Sequence, residues 1–203
     1  MRLLMLAPPG AGKGTQAARL ADHFGIEHIA SGDLLREEVE ARTPLGQAAR
    51  EYLDRGDLVP DEVVMAMVAG RVLPANEKDG FVLDGFPRNT RQAEEARRLA
   101  ADAGVSLDAV IYLHVSDEEL LRRLLSRAKQ EGRSDDQVAV IRHRLDVFNQ
   151  VTRPLVDYFD QLGLLVTING EQPIDAVTEE ILQKLAVKTS QGPDRPRPGD
   201  AAR

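Results

Sequence analysis

Lys13 stands in a glycine-rich run, Pro8-Pro9-Gly10-Ala11-Gly12-Lys13-Gly14-Thr15, and that combination is suited to gripping phosphate. Without side chains, Gly10, Gly12 and Gly14 let backbone N–H groups close around anionic oxygens. A helix beginning directly behind the loop adds unpaired N–H donors and a favourable dipole. Lys13 supplies a full positive charge for the outer phosphates, and Thr15 a hydroxyl close to phosphate or metal. A second constellation is Phe81-Val82-Leu83-Asp84-Gly85-Phe86-Pro87-Arg88. An apolar strand that ends in Asp84 sets a carboxylate at the carboxyl edge of a sheet, where ligands bind in open α/β folds. Beside a triphosphate such a carboxylate orients Mg²⁺ directly or through water. The competing reading is an Asp that only caps the following turn. Taken with the glycine loop, the metal reading is the better one, and Arg88 then falls beside the reacting phosphates.

The elements that must position these residues alternate along the chain. Arg2–Ala7 is an apolar run bounded by a turn, which reads as a buried strand, and Gly14–Phe24 is a helix with Ala17, Leu20, Ala21 and Phe24 on one face. Glu27–Ala30 is a short strand, and Ser31-Gly32-Asp33 caps a helix through Val39. Helices follow from Thr43-Pro44 to Arg55, stopped by Gly56, and from Pro60-Asp61-Glu62 to about Leu73. Asn76–Gly80 is loop, Phe81–Asp84 strand, Thr90–Ala103 helix and Ala109–His114 strand. Ser116 caps a helix to about Gln130, with Glu119 completing a capping box. A polar loop, 132–135, precedes a mostly helical stretch from Asp136 to Tyr158, broken at Pro154; strand Leu164–Ile168 and helix Ile174–Lys188 finish the pattern. Strands alternating with helices imply a parallel sheet covered on both faces.

Composition bounds the rest. With 203 residues the chain suits one domain with small inserted subdomains. A net charge of −7 argues against a general nucleic-acid binder, which needs a basic face, but leaves room for a local basic pocket. There is no cysteine, hence no disulfide framework and no Cys-based zinc site. No run is long enough to span a membrane, and the N-terminus is not a signal peptide, so the expected location is the cytoplasm. The four histidines, His23, His28, His114 and His143, lack ligand spacing, and surface or packing roles suit them. From Thr189 to Arg203 five of fifteen residues are Gly or Pro and no apolar periodicity remains, which predicts a disordered tail.

Several motifs in order carry a resemblance. Pro9–Gln16 reads P-G-x-G-K-G-T-Q, and it is followed by Ser31-Gly32-Asp33-Leu34-Leu35-Arg36, Asp57-Leu58-Val59-Pro60, Leu83–Arg88 with Gln92, Gly132–Asp136, and Arg144 through Thr152 to Pro154-Leu155. From Met1 to about Lys188 the sequence resembles the short-lid bacterial adenylate kinases, within the nucleoside monophosphate kinases. That resemblance implies a P-loop three-layer α/β fold with a five-stranded parallel sheet. It implies a core (1–29, 60–125 and 137–188), a small helical monophosphate-binding domain (30–59) and a lid (126–136). It implies MgATP + AMP giving two ADP, a role in adenine nucleotide balance, free nucleotides as the only partners, and a monomer. Lys13, Asp84, Arg88, Arg123, Arg133 and Arg144 would carry catalysis. ATP would meet Gly10, Ala11, Gly12, Lys13, Gly14, Thr15, Arg123, Arg127 and Gln172. AMP would meet Ser31, Gly32, Arg36, Asp57, Leu58, Val59, Gly85, Phe86, Pro87, Arg88, Gln92, Arg133 and Arg144. Asp84 and Asp33 would hold Mg²⁺ through water. Physical chemistry asks for the same parts, since phosphoryl transfer needs positioning and positive charge, and arginine forks bind phosphate bidentately.

The chain also departs from the family pattern. Ala7 stands where a glycine is usual; preceding Pro8, it should be extended, which alanine tolerates. Only five residues separate Arg127 from Arg133, so there is no room for an inserted β-rich lid. The UMP/CMP kinases share the fold and the short lid, and Asn89 leans toward them, while Ser31 and Gln92 lean toward AMP. The Gln92 amide, one acceptor and two donors, matches adenine's amino group and N1 in a bidentate pair. A catalytically silent nucleotide-binding protein is the more distant alternative.

Overall fold

The computed structural model describes residues 1–131 and 137–190. Five strands, β1 (Arg2–Leu6), β2 (Glu27–Ala30), β3 (Phe81–Asp84), β4 (Ala109–His114) and β5 (Leu165–Asn169), form one all-parallel sheet in the order β2-β3-β1-β4-β5. The described helices are α1 (Lys13–Phe24), α2 (Ser31–Glu40), α3 (Pro44–Arg55), α4 (Asp61–Glu77), α5 (Thr90–Asp102), α6 (Asp117–Glu131), α7 (Val138–Val147), α8 (Pro154–Gln161) and α9 (Ile174–Ser190). A π-helical turn, Phe148–Thr152, joins α7 to α8. Among the described residues no helix is long and apolar enough to cross a membrane.

The central strands are apolar on both faces because both faces are covered. Leu3, Met5, Val82, Ile111 and Leu113 pack with Ala17, Leu20, Ile181 and Leu185 of α1 and α9. Leu4, Leu6, Phe81, Leu83, Val110 and Tyr112 pack with Val64 and Val68 of α4, Ala93 of α5 and Leu155 and Phe159 of α8. Strand order reverses at β1, whose neighbours are β3 and β4, so a crevice opens at its carboxyl end. The glycine loop leaves β1 at that point, and Asp84, paired in register with Met5, ends the neighbouring strand beside it.

Most boundaries agree with the sequence reading to within a residue or two, and four features differ. α4 does not stop near Leu73; it runs through Pro74 to Glu77. Burial of Ala75 in the core and a hydrogen bond from Arg2 Nε to Asn76 Oδ1 hold the last turn, and this outweighs proline's local cost. Ser31 does not cap α2; it is the first helical residue, behind Ala30, and no side chain caps this end. The capping box at Ser116 does not close. The Ser116 N–H donates to Glu171 at 2.8 Å instead, because Glu119 is taken up by Arg122 and Arg123 at 2.7 and 2.6 Å. α9 extends two residues past Lys188. The expected loop 132–135, much of the expected lid with Arg133, and the tail from 191 on lie outside the described residues.

Candidate active site

The glycine loop is built for close approach. Ala11 N–H bonds back to Pro8 O at 3.2 Å, and Gly12, with φ 88°, precedes α1 without any side-chain cap. That leaves the first N–H groups of α1 facing outward at the loop. Gly10 has φ +85°, and a Cβ there would lie 2.8 Å from Leu124 Cγ, so the loop lies flat on α6. Ala7 is buried and outside the left-handed region, so alanine at this place imposes no backbone strain.

Beside the loop, Lys13 Nζ lies 2.9 Å from Asp84 Oδ1. Burial pushes the Asp84 carboxyl up, but the Lys13 ammonium and His28 together outweigh it and hold the group at about 2. Asp84 is therefore a carboxylate at neutral pH. His28 Nε2, 3.8 Å from Asp84 Oδ2, is buried and has no hydrogen-bond partner. His28 is half-buried, in keeping with a packing role, and its ring also stands beside the Asp84 carboxylate. Nothing local points to it; it reaches Asp84 because β2 pairs with β3 in a register that sets His28 against Val82, two residues short of Asp84.

A cleft of about 460 Å³ opens over the loop. Lys13, Arg36, Arg88, Arg123, Arg127 and Arg144 line it, together with Gly10, Gly12, Gly14, Thr15, Gly32 and Gly85, and its carboxylates are Asp33 and Asp84. Arg88 is half-buried among the other cations of the cleft. Burial, with the Arg144 and Arg36 guanidiniums beside it, lowers its pKa, against an opposing pull from Asp84. Three like charges converge where an anion would neutralise them. The Arg88 position is fixed by its own backbone and side chain: Nε donates to Gly85 O at 2.8 Å, and Thr152 Oγ1, from the π-turn, donates to Arg88 O at 2.8 Å. Arg36 holds Asp33, and Arg123 Nε is paired with Glu119 at 2.6 Å.

The remaining expected residues divide. Leu58, Pro87 and Arg144 line an adjoining pocket with Phe148 and Thr152, and Val59 and Phe86 are buried behind them. Ser31 is buried, its Oγ has no partner, and it sits 2.7 Å from where a Gly85 Cβ would be. Asp57 uses its side chain: a 2.7 Å bond to His143, then one to Arg55, hold its carboxyl below the ordinary value. His143 stays at the surface, as expected, while holding Asp57. Gln172 does not line the cleft; its amide donates to Asn169 O at 3.1 Å and to Glu180. Gln92 is buried and hydrogen-bonded to the Arg88 N–H and to Asp61. Asn89 caps α5 by accepting from Gln92 N–H at 2.7 Å and donates to Asp61. Asp61, Thr152, Glu119 and His28 are the residues that sequence reasoning missed. Each acts across tens of residues or on a partner that local pattern does not name.

A model of the adenylate kinase family matches residues 5–164. The adenylate kinase of Micrococcus luteus is 47% identical over 192 residues, 94% of each chain. That of Thermobifida fusca is 48% identical over 185 residues, 91% of this chain and 98% of its own. That of Xanthomonas campestris pv. campestris (strain 8004) is 48% identical over 185 residues, 91% and 99%.

Proposed function

The chain belongs to the adenylate kinase family, and from that premise we propose how its residues divide the transfer of the terminal phosphoryl group of ATP to AMP. One observation carries the reading: in a chain of net charge −7, one lysine and five arginines converge on the glycine loop against two carboxylates. An oxygen of the AMP phosphate attacks the γ-phosphorus in line, the bond to the β,γ-bridging oxygen breaks, and two ADP result. The loop N–H groups and Lys13 hold the β- and γ-oxygens. Arg123 and Arg127 lie on the ATP side, and Arg36, Arg88 and Arg144 hold the AMP phosphate and the moving group. Arg133 belongs to the same set by its place in the sequence. Gln172, expected at ATP, lies outside the cleft lining with its side-chain amide on Asn169 and Glu180, so any contact it makes with ATP would come from its backbone.

The residues suit Mg²⁺. Asp84 is a hard, ionised oxygen donor at the loop, and Asp33 is exposed in the same cleft. Among the described residues no group of three or more ligating side chains forms a cage, which suits an ion held mainly by phosphates and water. When bound, Mg²⁺ neutralises charge on the β- and γ-oxygens of ATP. Arm 30–59 and lid 126–136 close over the nucleotides and exclude water, which would otherwise compete as acceptor. A cytoplasmic monomer acting on free nucleotides, without nucleic acid or membrane, completes the reading.

AMP is the acceptor. Ser31 Oγ is free beside the Gly85 turn, and Asn89, the residue that leans toward a pyrimidine, is occupied by the α5 cap and Asp61. Steady-state ADP formation from MgATP with AMP, CMP and UMP tests this. The expected kcat/KM favours AMP by about a hundredfold or more, two unmatched hydrogen bonds' worth. CMP or UMP as good as AMP would overturn it, and full turnover in excess chelator would remove the metal.

A further inference from the structure

Both ends of the Gln92 amide are held. Oε1 accepts from the Arg88 backbone N–H at 2.7 Å, and Nε2 donates to Asp61 Oδ1 at 2.6 Å. These partners leave one orientation. A backbone N–H only donates and a carboxylate only accepts. Turned over, the amide would set NH₂ against the Arg88 N–H and oxygen against the Asp61 carboxylate. Asp61 is held in turn by Asn89 Nδ2, at 3.2 and 3.4 Å from its two oxygens. The amide has two N–H bonds and two carbonyl lone pairs, and one of each remains for a ligand.

We propose that Asp61 is a specificity-determining positioning residue: it fixes the polarity of the Gln92 amide, so that the site takes a base with an amino group beside an unprotonated ring nitrogen and rejects a 6-oxo purine. This rests on the placement of the AMP base at Gln92. Adenine donates from N6 to Oε1 and accepts at N1 from Nε2. Inosine monophosphate has nearly the same shape, but donor and acceptor are exchanged, so both contacts turn repulsive. Only direction separates these two ligands. Cytosine keeps the amino-and-ring-nitrogen pattern on a smaller ring, so Asp61 has no part in rejecting it.

The test is kcat/KM for AMP, IMP and CMP at saturating MgATP, with thermal melts, in wild type, Asp61→Asn and Asn89→Ala. Wild type should prefer AMP to IMP by about a hundredfold or more. An asparagine at 61 can donate or accept, so only the Arg88 N–H still opposes a turned amide. Turning for IMP relieves two mismatches at the base and creates one at that N–H, and the AMP-to-IMP ratio should fall about tenfold, the net of one mismatch. The AMP-to-CMP ratio and the KM for ATP should stay where they are. Asn89→Ala loses the α5 cap and a contact to Asp61, and should melt lower while keeping the AMP-to-IMP ratio. An unchanged ratio in Asp61→Asn, an equal fall in Asn89→Ala, or a parallel fall of AMP to CMP would each overturn the inference. A wild type that prefers CMP or UMP defeats the AMP reading itself, whereas AMP preference with an intact Asp61→Asn ratio defeats this inference alone.

Discussion

On the proposed function, the groups that hold phosphate and the groups that read the base, Ser31 and Gln92, solve recognition by different means. At the phosphate end, charge is abundant and direction is loose: Lys13 and five arginines face a region held by loop N–H groups and a helix terminus. Lys13 is paired with Asp84 at 2.9 Å, a partner it can exchange for a phosphate oxygen. At the base end, the groups are few and buried, and each has a set direction. Ser31 and Gln92 are almost wholly enclosed, and the Gln92 amide has one orientation. Charge strengthens binding and stabilises a transition state but does not tell one base from another. Hydrogen-bond direction tells bases apart and contributes little to the chemical step. Substitutions at the two ends should therefore fail in different ways.

The largest effect belongs to Lys13. Lys13→Met should lower kcat by about a thousandfold, as loss of a transition-state charge does, with little change in the preference among monophosphates. Near wild-type turnover in a folded variant would remove the distinction between the two ends. Asp84→Asn comes next, with kcat lower by about a hundredfold and a weakened dependence on divalent ion, while the KM for AMP moves little. Asp84 also predicts a pH effect. Its folded pKa, about 2, lies below the ordinary 3.8, so its stabilisation is complete above pH 4 and is lost as pH falls toward 2. That is about 2 kcal/mol, which urea unfolding at pH 4 and pH 2 measures as a steeper loss in wild type than in Asp84→Asn.

Gln92→Ala sharpens the contrast from the other side. The AMP-to-UMP ratio should fall roughly tenfold, with the KM for ATP unchanged, because the lost groups are directional and distant from the triphosphate. A fall in kcat with the ratio intact would mean that Gln92 serves only to hold Arg88. The smallest effect is at Ala7. Because it lies outside the left-handed region, Ala7→Gly should restore the commoner residue for no gain in turnover, and lower stability by about 0.5–1 kcal/mol through greater freedom of the unfolded chain. A large rise in turnover would show that alanine strains the loop.

Much of this molecule is written in short stretches of sequence. Strand, glycine loop, Lys13 and helix follow one another within twenty-four residues, and the strand ending in Asp84 is as compact; apolar runs and glycines mark both because the forces that form them are local. Thr43 caps α3 and Gly56 ends it as their types require. The arginines are legible as candidates, but only their convergence makes a site. What the tertiary structure alone decided are pairings across the chain. His28 meets Asp84 through strand register, and Thr152 reaches Arg88 from a π-turn sixty-four residues on. Glu119 takes two arginines in place of a cap, and α4 passes through Pro74 because Ala75 is buried. Asp61 fixes the amide of Gln92 from thirty-one residues away. A hydrogen bond between distant residues leaves no periodic trace in the chain, since either partner could equally face water. Only the folded sheet and the helices packed on it determine which polar groups lose that option and must find each other.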